Sequence, residues 1–229
     1  MAVTAPSAAE LLGAWEHGLG ETRARRALVL LASAHPERAG LEELTVGERD
    51  RALLDLRSSV FGPAVTALGD CADCGERVEA SFEAGDVRLD GPAAATVEAG
   101  GVVARLPTAG DLLAAEAAPD VEAARRVLLE RIVVHGEAVT DEAAAALGER
   151  LAEADPQADV RLVLACPGCG RSWEEPFEVD TFLWQELEAW VVRLLEEVHM
   201  LASAYGWSER EVLELSPARR AAYLELVER

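Results

Sequence analysis

Apolar positions recur at helical spacing along most of the chain and switch to strict alternation in a few short runs, and these two periods divide it into elements. Pro6-Ser7-Ala8-Ala9-Glu10-Leu11-Leu12 predicts a serine-capped amphipathic helix, and Pro107-Thr108-Ala109-Gly110-Asp111-Leu112-Leu113 repeats the signature with threonine as the cap. A short extended piece precedes each opening, at Ala2–Ala5 and at Val102–Leu106. An arginine-bearing helix follows each, through Arg25-Arg26-Ala27-Leu28 and Arg125-Arg126-Val127-Leu128. Further helices are predicted near Thr45–Leu56 and Asp141–Ala154, then strands near Ala64–Leu68 and Asp159–Ala165. Gly100-Gly101 between two short apolar runs predicts a hairpin and a small sheet joining the two halves.

From Asp180 the pattern becomes one long helix, with Leu183, Leu187, Trp190, Val191, Leu194, Val198, Leu201 and Tyr205 on its stripe. Gly206 ends it. Ser208-Glu209-Arg210-Glu211 is a capping box for a short helix, and Ser216-Pro217 supplies a cap and a first-turn proline for the last one.

Both halves end in the same motif, CADCGERVEASFE from Cys71 to Glu83 and CPGCGRSWEEPFE from Cys166 to Glu178. Laid over each other, the cysteines coincide, as do Gly75 with Gly170, Glu79 with Glu174 and Phe82 with Phe177. The chain has 4 cysteines, Cys71, Cys74, Cys166 and Cys169, so the two pairs supply one complete set of four thiolates. Two residues between paired cysteines let a tight turn aim both sulfurs at one ion about 2.3 Å away, and zinc is the natural occupant. The glycine after each pair takes positive φ at no steric cost, which turns backbone amides toward the thiolates. Four thiolates leave no open coordination position, so the expected zinc is single and structural. The alternatives are a redox dithiol, two local disulfides or four unrelated buried thiols; a redox pair sits at a helix start, whereas alternating residues follow both pairs here.

This reading gives an α+β fold. It consists of an internally duplicated helix-plus-zinc-knuckle and β-hairpin unit (1–90 and 91–179), joined by a small sheet and followed by an all-helical extension (180–229).

The formal net charge is −21, with 42 acidic residues against 21 basic ones, all of them arginine. Such a surface repels nucleic acid and anionic lipid, since phosphate binding needs a basic face. No uninterrupted apolar run reaches membrane-spanning length and no export signal opens the chain, so no membrane partner and a reducing cytoplasm are expected. Phosphate-binding loops, zinc-protease and nucleophile-elbow motifs are absent, and His17, His35, His135 and His199 are scattered. No enzyme, no catalytic residue and no small-molecule substrate are expected. Arg23, Arg25 and Arg26 read as a solvated helix face. Trp190 reads as core, Trp207 as a staple against Val212, and Trp184 as the tryptophan freest to serve an interface.

The run Glu197 to Tyr223 carries a histidine-containing helix, the Tyr205-Gly206-Trp207-Ser208-Glu209 turn, a short helix, and the basic pair Arg219-Arg220 before a tyrosine. In this it resembles the T4-type phage baseplate protein family, in the form carried by bacterial contractile injection systems. The opening Pro107–Leu113 is also similar to that family. The resemblance covers the second half, from Leu106 onward. It implies a non-enzymatic structural or assembly component whose partners are baseplate hub, spike or wedge proteins of a contractile tail. Tyr205, Trp207, Arg219 and Arg220 are then the partner-facing candidates, beside Trp184. A zinc-ribbon adaptor in transcription or translation is the alternative.

Overall fold

A computed structural model describes residues 5–136 and 139–227. Three helices open the chain: α1 (Ala8–Gly18), α2 (Arg23–Ala34) and α3 (Val46–Phe61). An antiparallel hairpin of β1 (Ala64–Asp70) and β2 (Arg77–Glu83) follows. The second segment begins with the hairpin β3 (Thr96–Ala99) and β4 (Val102–Arg105), turning at Gly100-Gly101. It then runs through α4 (Ala109–Glu116), α5 (Val121–Ile132), β5 (Val133–His135), α6 (Asp141–Ala154) and the antiparallel pair β6 (Arg161–Ala165) and β7 (Ser172–Pro176). The chain finishes with α7 (Val179–Tyr205), α8 (Glu209–Leu213) and α9 (Pro217–Val227). Helices with three small antiparallel sheets place it in the α+β class. The expected extended piece at Ala2–Ala5 lies almost wholly outside the described residues.

Local chemistry sets the helix starts. Ser7 with Glu10, Thr45 with Glu48, Thr108 with Asp111 and Ser208 with Glu211 all close capping boxes, each satisfying two backbone donors that a helix start leaves unpaired. Gly206, in the left-handed conformation at φ 70°, ends α7 as expected.

The sheet at Gly100-Gly101 forms, in the order β3-β4-β5, but it belongs to the second segment and packs on α6. It does not join the halves, because its third strand comes from the end of α5. The segments are stitched by backbone instead. An isolated antiparallel bridge links Thr45 to Thr108, where the Val46 N–H donates to Pro107 O (3.0 Å) and the Ala109 N–H to Leu44 O (2.9 Å).

The largest core lies among α1, α2, α3 and the first half of α7, around Leu30, Leu31, Leu53, Leu54, Leu56, Leu183, Leu187 and Val191. Three ion pairs, made by buried Arg49 and Arg57 and by exposed Arg23, fix the entry of α7. Asp180 meets Arg49 (3.3 Å) and Arg23 (2.8 Å), and Glu186 takes a two-point pair from Arg57 at 2.9 and 2.7 Å. The far end of α7 forms a separate cluster with α8 and α9 around Val198, Leu201 and Val212. A third core, Val97, Ala104, Leu106, Ile132, Leu147 and Ala154, holds the second segment.

Candidate metal centre

The two hairpins β1-β2 and β6-β7 bring their turns together at the cysteines. In each turn the first cysteine holds both ends. The Cys71 N–H donates to Glu76 O (2.9 Å) and Cys71 O accepts from the Gly75 N–H (2.8 Å). In the same way, the Cys166 N–H donates to Arg171 O (2.8 Å) and Cys166 O accepts from the Gly170 N–H (3.0 Å). Gly75 and Gly170 sit at φ 74° and 77°, where a side chain would be strained.

All four sulfurs lie within 4.8 Å of one another. Cys71 Sγ is 3.7 Å from Cys169 Sγ, and Cys74 Sγ is 3.5 Å from Cys166 Sγ. A tetrahedron with zinc–sulfur distances of about 2.3 Å has sulfur–sulfur edges of about 3.8 Å, so the donor set matches zinc in number, softness and spacing. The contacts also obey an exchange rule. Swapping each cysteine for its counterpart turns the contact of Cys71 with Cys169 into that of Cys166 with Cys74. Phe82 and Phe177, counterparts in sequence, meet edge to face with ring centroids 5.4 Å apart. Val78 and Trp173, again counterparts, cover the buried sulfurs of Cys71 and Cys166.

The electrostatics fit a cation. Backbone N–H groups of Cys74 and Asp73 hydrogen-bond the Cys71 sulfur and hold its thiol down to about 7. The Glu76 N–H favours the Cys74 thiolate, yet the crowding sulfurs of Cys166, Cys169 and Cys71, with burial, push that thiol up to about 12. Cys169 is likewise raised: the Arg171 N–H favours its thiolate, and the sulfurs of Cys166 and Cys71 outweigh it. Four thiolates this close repel one another, and a divalent cation reverses that balance by deprotonating its ligands outright. Arg171 pairs with Asp73 across the two turns and ties one hairpin to the other.

Sequence reasoning missed Val78, Trp173 and the Arg171–Asp73 pair. The superposed motifs did carry a signal for the first two, since Val78 and Trp173 are the large apolar residues at one shared position between the second cysteine and the shared phenylalanine.

The partner-facing candidates separate. Trp184 is 3% exposed, with its ring packed on Gly18 and under the Arg26 guanidinium at 4.6 Å, so it is a core residue and offers no interface surface. Arg26 is therefore half-buried against that ring, not part of a freely solvated face. Arg220 is also buried; its Nε donates to Glu197 (2.9 Å) and its Nη1 to Leu215 O (3.0 Å), which clamps α9 onto α7. Trp207 is half-buried, stacked on Tyr205 at 4.7 Å and edge-on to Tyr223 at 4.9 Å. Tyr205 and Arg219 remain exposed.

Among the described residues no helix is long and apolar enough to cross a membrane. Comparison of the chain with family models, with curated proteins and with solved structures gave no match.

Proposed function

We propose that the protein is a zinc-stabilised, non-catalytic scaffold, built on a duplicated helix-and-knuckle unit, that acts through protein–protein contacts. The observation that carries this reading is the closed set of four sulfurs drawn equally from the two hairpins. A site with four thiolate ligands has no position for substrate, so its metal contributes folding energy and not chemistry. The exchange relation among the cysteines and between Phe82 and Phe177 supports duplication, because two copies of one unit meet naturally about a two-fold axis.

Within that class, the reading is a structural or assembly component of a contractile injection baseplate, binding hub, spike or wedge proteins through the end of α7 with α8 and α9. Support comes from the sequence resemblance of Glu197–Tyr223 and from the exposure of Tyr205 and Arg219. The acidic surface opposes self-association and favours partners with basic patches. A zinc-ribbon adaptor is the second reading, favoured by the meeting of two cysteine-bearing hairpins and opposed by the charge of −21.

Affinity purification of the tagged protein from its own cells, after nuclease treatment, tests the assignment by quantitative mass spectrometry. Tube, sheath, spike or wedge proteins in fixed ratio are expected. Ribosomal or polymerase subunits in fixed ratio would replace the baseplate reading with the adaptor.

A further inference from the structure

Arg51 lies on α3 with a charge that its neighbours leave unmet. Glu48 and Asp55 stand three and four residues away, the spacing at which a helix pairs opposite charges. Neither pairs with it. The Glu48 carboxylate accepts the Thr45 N–H in the capping box (3.0 Å), and Asp55 holds Arg88 in a two-point pair at 2.9 Å each. The Arg51 guanidinium turns toward the loop at Gly91, and its Nη1 is shut off from solvent with no acceptor. A buried donor without a partner costs the full desolvation of the group, and a charged one costs more. That is unexpected in a chain with twice as many acidic residues as basic ones.

Arg51 also lines a cleft of about 190 Å³ together with Arg38 and Arg88, beside Glu48 and Asp55. Arg88 is held in place by its pair with Asp55, and Arg38 has an interaction of its own. Arg51 is then the guanidinium in this space that neither carboxylate meets.

We propose that this cleft binds a small oxyanion, a phosphate or carboxylate group, with Arg51 as its principal ligand. The planar fork of a guanidinium matches such oxygens two at a time, which a point charge does not. The size limits the ligand further. Pockets for drug-sized molecules begin at about 300 Å³, so this cleft takes the anionic group and leaves the rest of a larger molecule outside. The overall negative charge does not forbid it, because salt at 0.1 M screens exposed charges beyond about 10 Å. The site is remote in role from the sulfur cluster and stands whether or not that cluster holds zinc.

Calorimetric titration of the full chain with sodium phosphate, and separately with sodium succinate, tests the site at ionic strength held constant with sodium chloride. Saturable one-to-one binding of at least one anion is expected. Arg51→Gln should weaken it by about tenfold or more, and Arg51→Lys, which keeps the charge and loses the fork, should also weaken it. Arg193→Gln, at an exposed arginine on α7, should leave it unchanged. Binding of phosphate alone identifies a phosphoryl group, binding of succinate alone a carboxylate, and binding of both a general oxyanion site. Absence of saturable binding to either anion, or binding that survives Arg51→Gln undiminished, overturns the proposal. Circular dichroism of each variant guards against misfolding, which the lack of any bond to lose at Arg51 makes avoidable.

Discussion

The first and second segments carry their helices in the same order and fill them differently. α1, α2 and α3 close over large leucines, and α7 lays Leu183, Leu187 and Val191 into the same core. α5 and α6 enclose a smaller set with the three-stranded sheet, and no α4 or α7 residue belongs to it. The second segment has a buried polar anchor of its own. Asp111, wholly buried, takes two bonds from Arg105 (2.6 and 2.9 Å), one from Arg131 (2.8 Å) and the capping bond from the Thr108 N–H. Similar sequence signatures thus open helices in both segments, but the stability of each segment depends on what packs onto it from elsewhere. Both segments contribute equally to the sulfur cluster.

Breaking that shared feature is expected to have the largest effect. Cys166→Ser should cost several kcal/mol in chemical denaturation, and a strong chelator should lower the wild-type midpoint to match. Structural zinc is worth about 10 kcal/mol or more in small domains, of which a larger core needs only part. An unchanged midpoint in both experiments would mean the segments hold together without the metal.

Paired leucine truncations sharpen the contrast in packing. Leu187→Ala in α7 should cost about 4 kcal/mol, because rigid neighbours on all sides preserve the cavity. Leu147→Ala in α6 should cost nearer about 2 kcal/mol, since half-exposed Leu128, Leu129 and Leu151 can relax into the space. Equal losses would show that the two cores do not differ in kind.

Asp111→Ala probes the polar anchor, and about 3 kcal/mol is expected because it strands Arg105 and Arg131. Burial opposes ionisation of Asp111, but Arg105, the Thr108 amide and Arg131 outweigh it and hold the carboxyl well below the usual range. Its contribution is therefore present above pH about 4 and is lost as the pH falls through that lowered pKa. Acid titration of wild type and variant should converge only in strong acid.

The smallest expected effect lies in the first segment and has the opposite sign. Burial raises the Asp50 carboxyl to about 7, aided by the neighbouring Asp180 and opposed by Arg49 and Arg23. The folded chain then keeps a proton that the unfolded chain releases above about 3.9. That stability is complete below about pH 4 and is lost as the pH rises through about 7. Asp50→Asn should flatten this slope by at least about 1 kcal/mol, roughly one pKa unit. General repulsion in an acidic chain acts in the same direction, so the difference between variant and wild type is the informative quantity. Parallel slopes would remove Asp50 from the account.

What was legible in the sequence was local. The caps at Ser7, Thr108 and Ser208, the stop at Gly206 and the hairpin at Gly100-Gly101 follow from the dihedral and hydrogen-bonding habits of residues a few positions apart. The cysteine cluster was legible for a different reason, since two matching CxxC turns leave their sulfurs only one another as partners. What escaped depends on distant chain. Trp184 has the same helical surroundings as an interface tryptophan, and only the approach of Gly18 and Arg26 buries it. Arg220 looked like half of a surface pair until Glu197 and Leu215 closed on it. Thr108 showed itself as a cap, while the pairing of Asp111 with Arg105 and Arg131 needs the third strand to fold back.

Native mass spectrometry of the freshly purified full chain tests the central claim most directly, when followed by the same measurement after denaturation in acid. The account predicts a monomer mass carrying one zinc ion, lost on denaturation to leave four free thiols. A metal-free native mass, with the four cysteines joined as two disulfides, would contradict it.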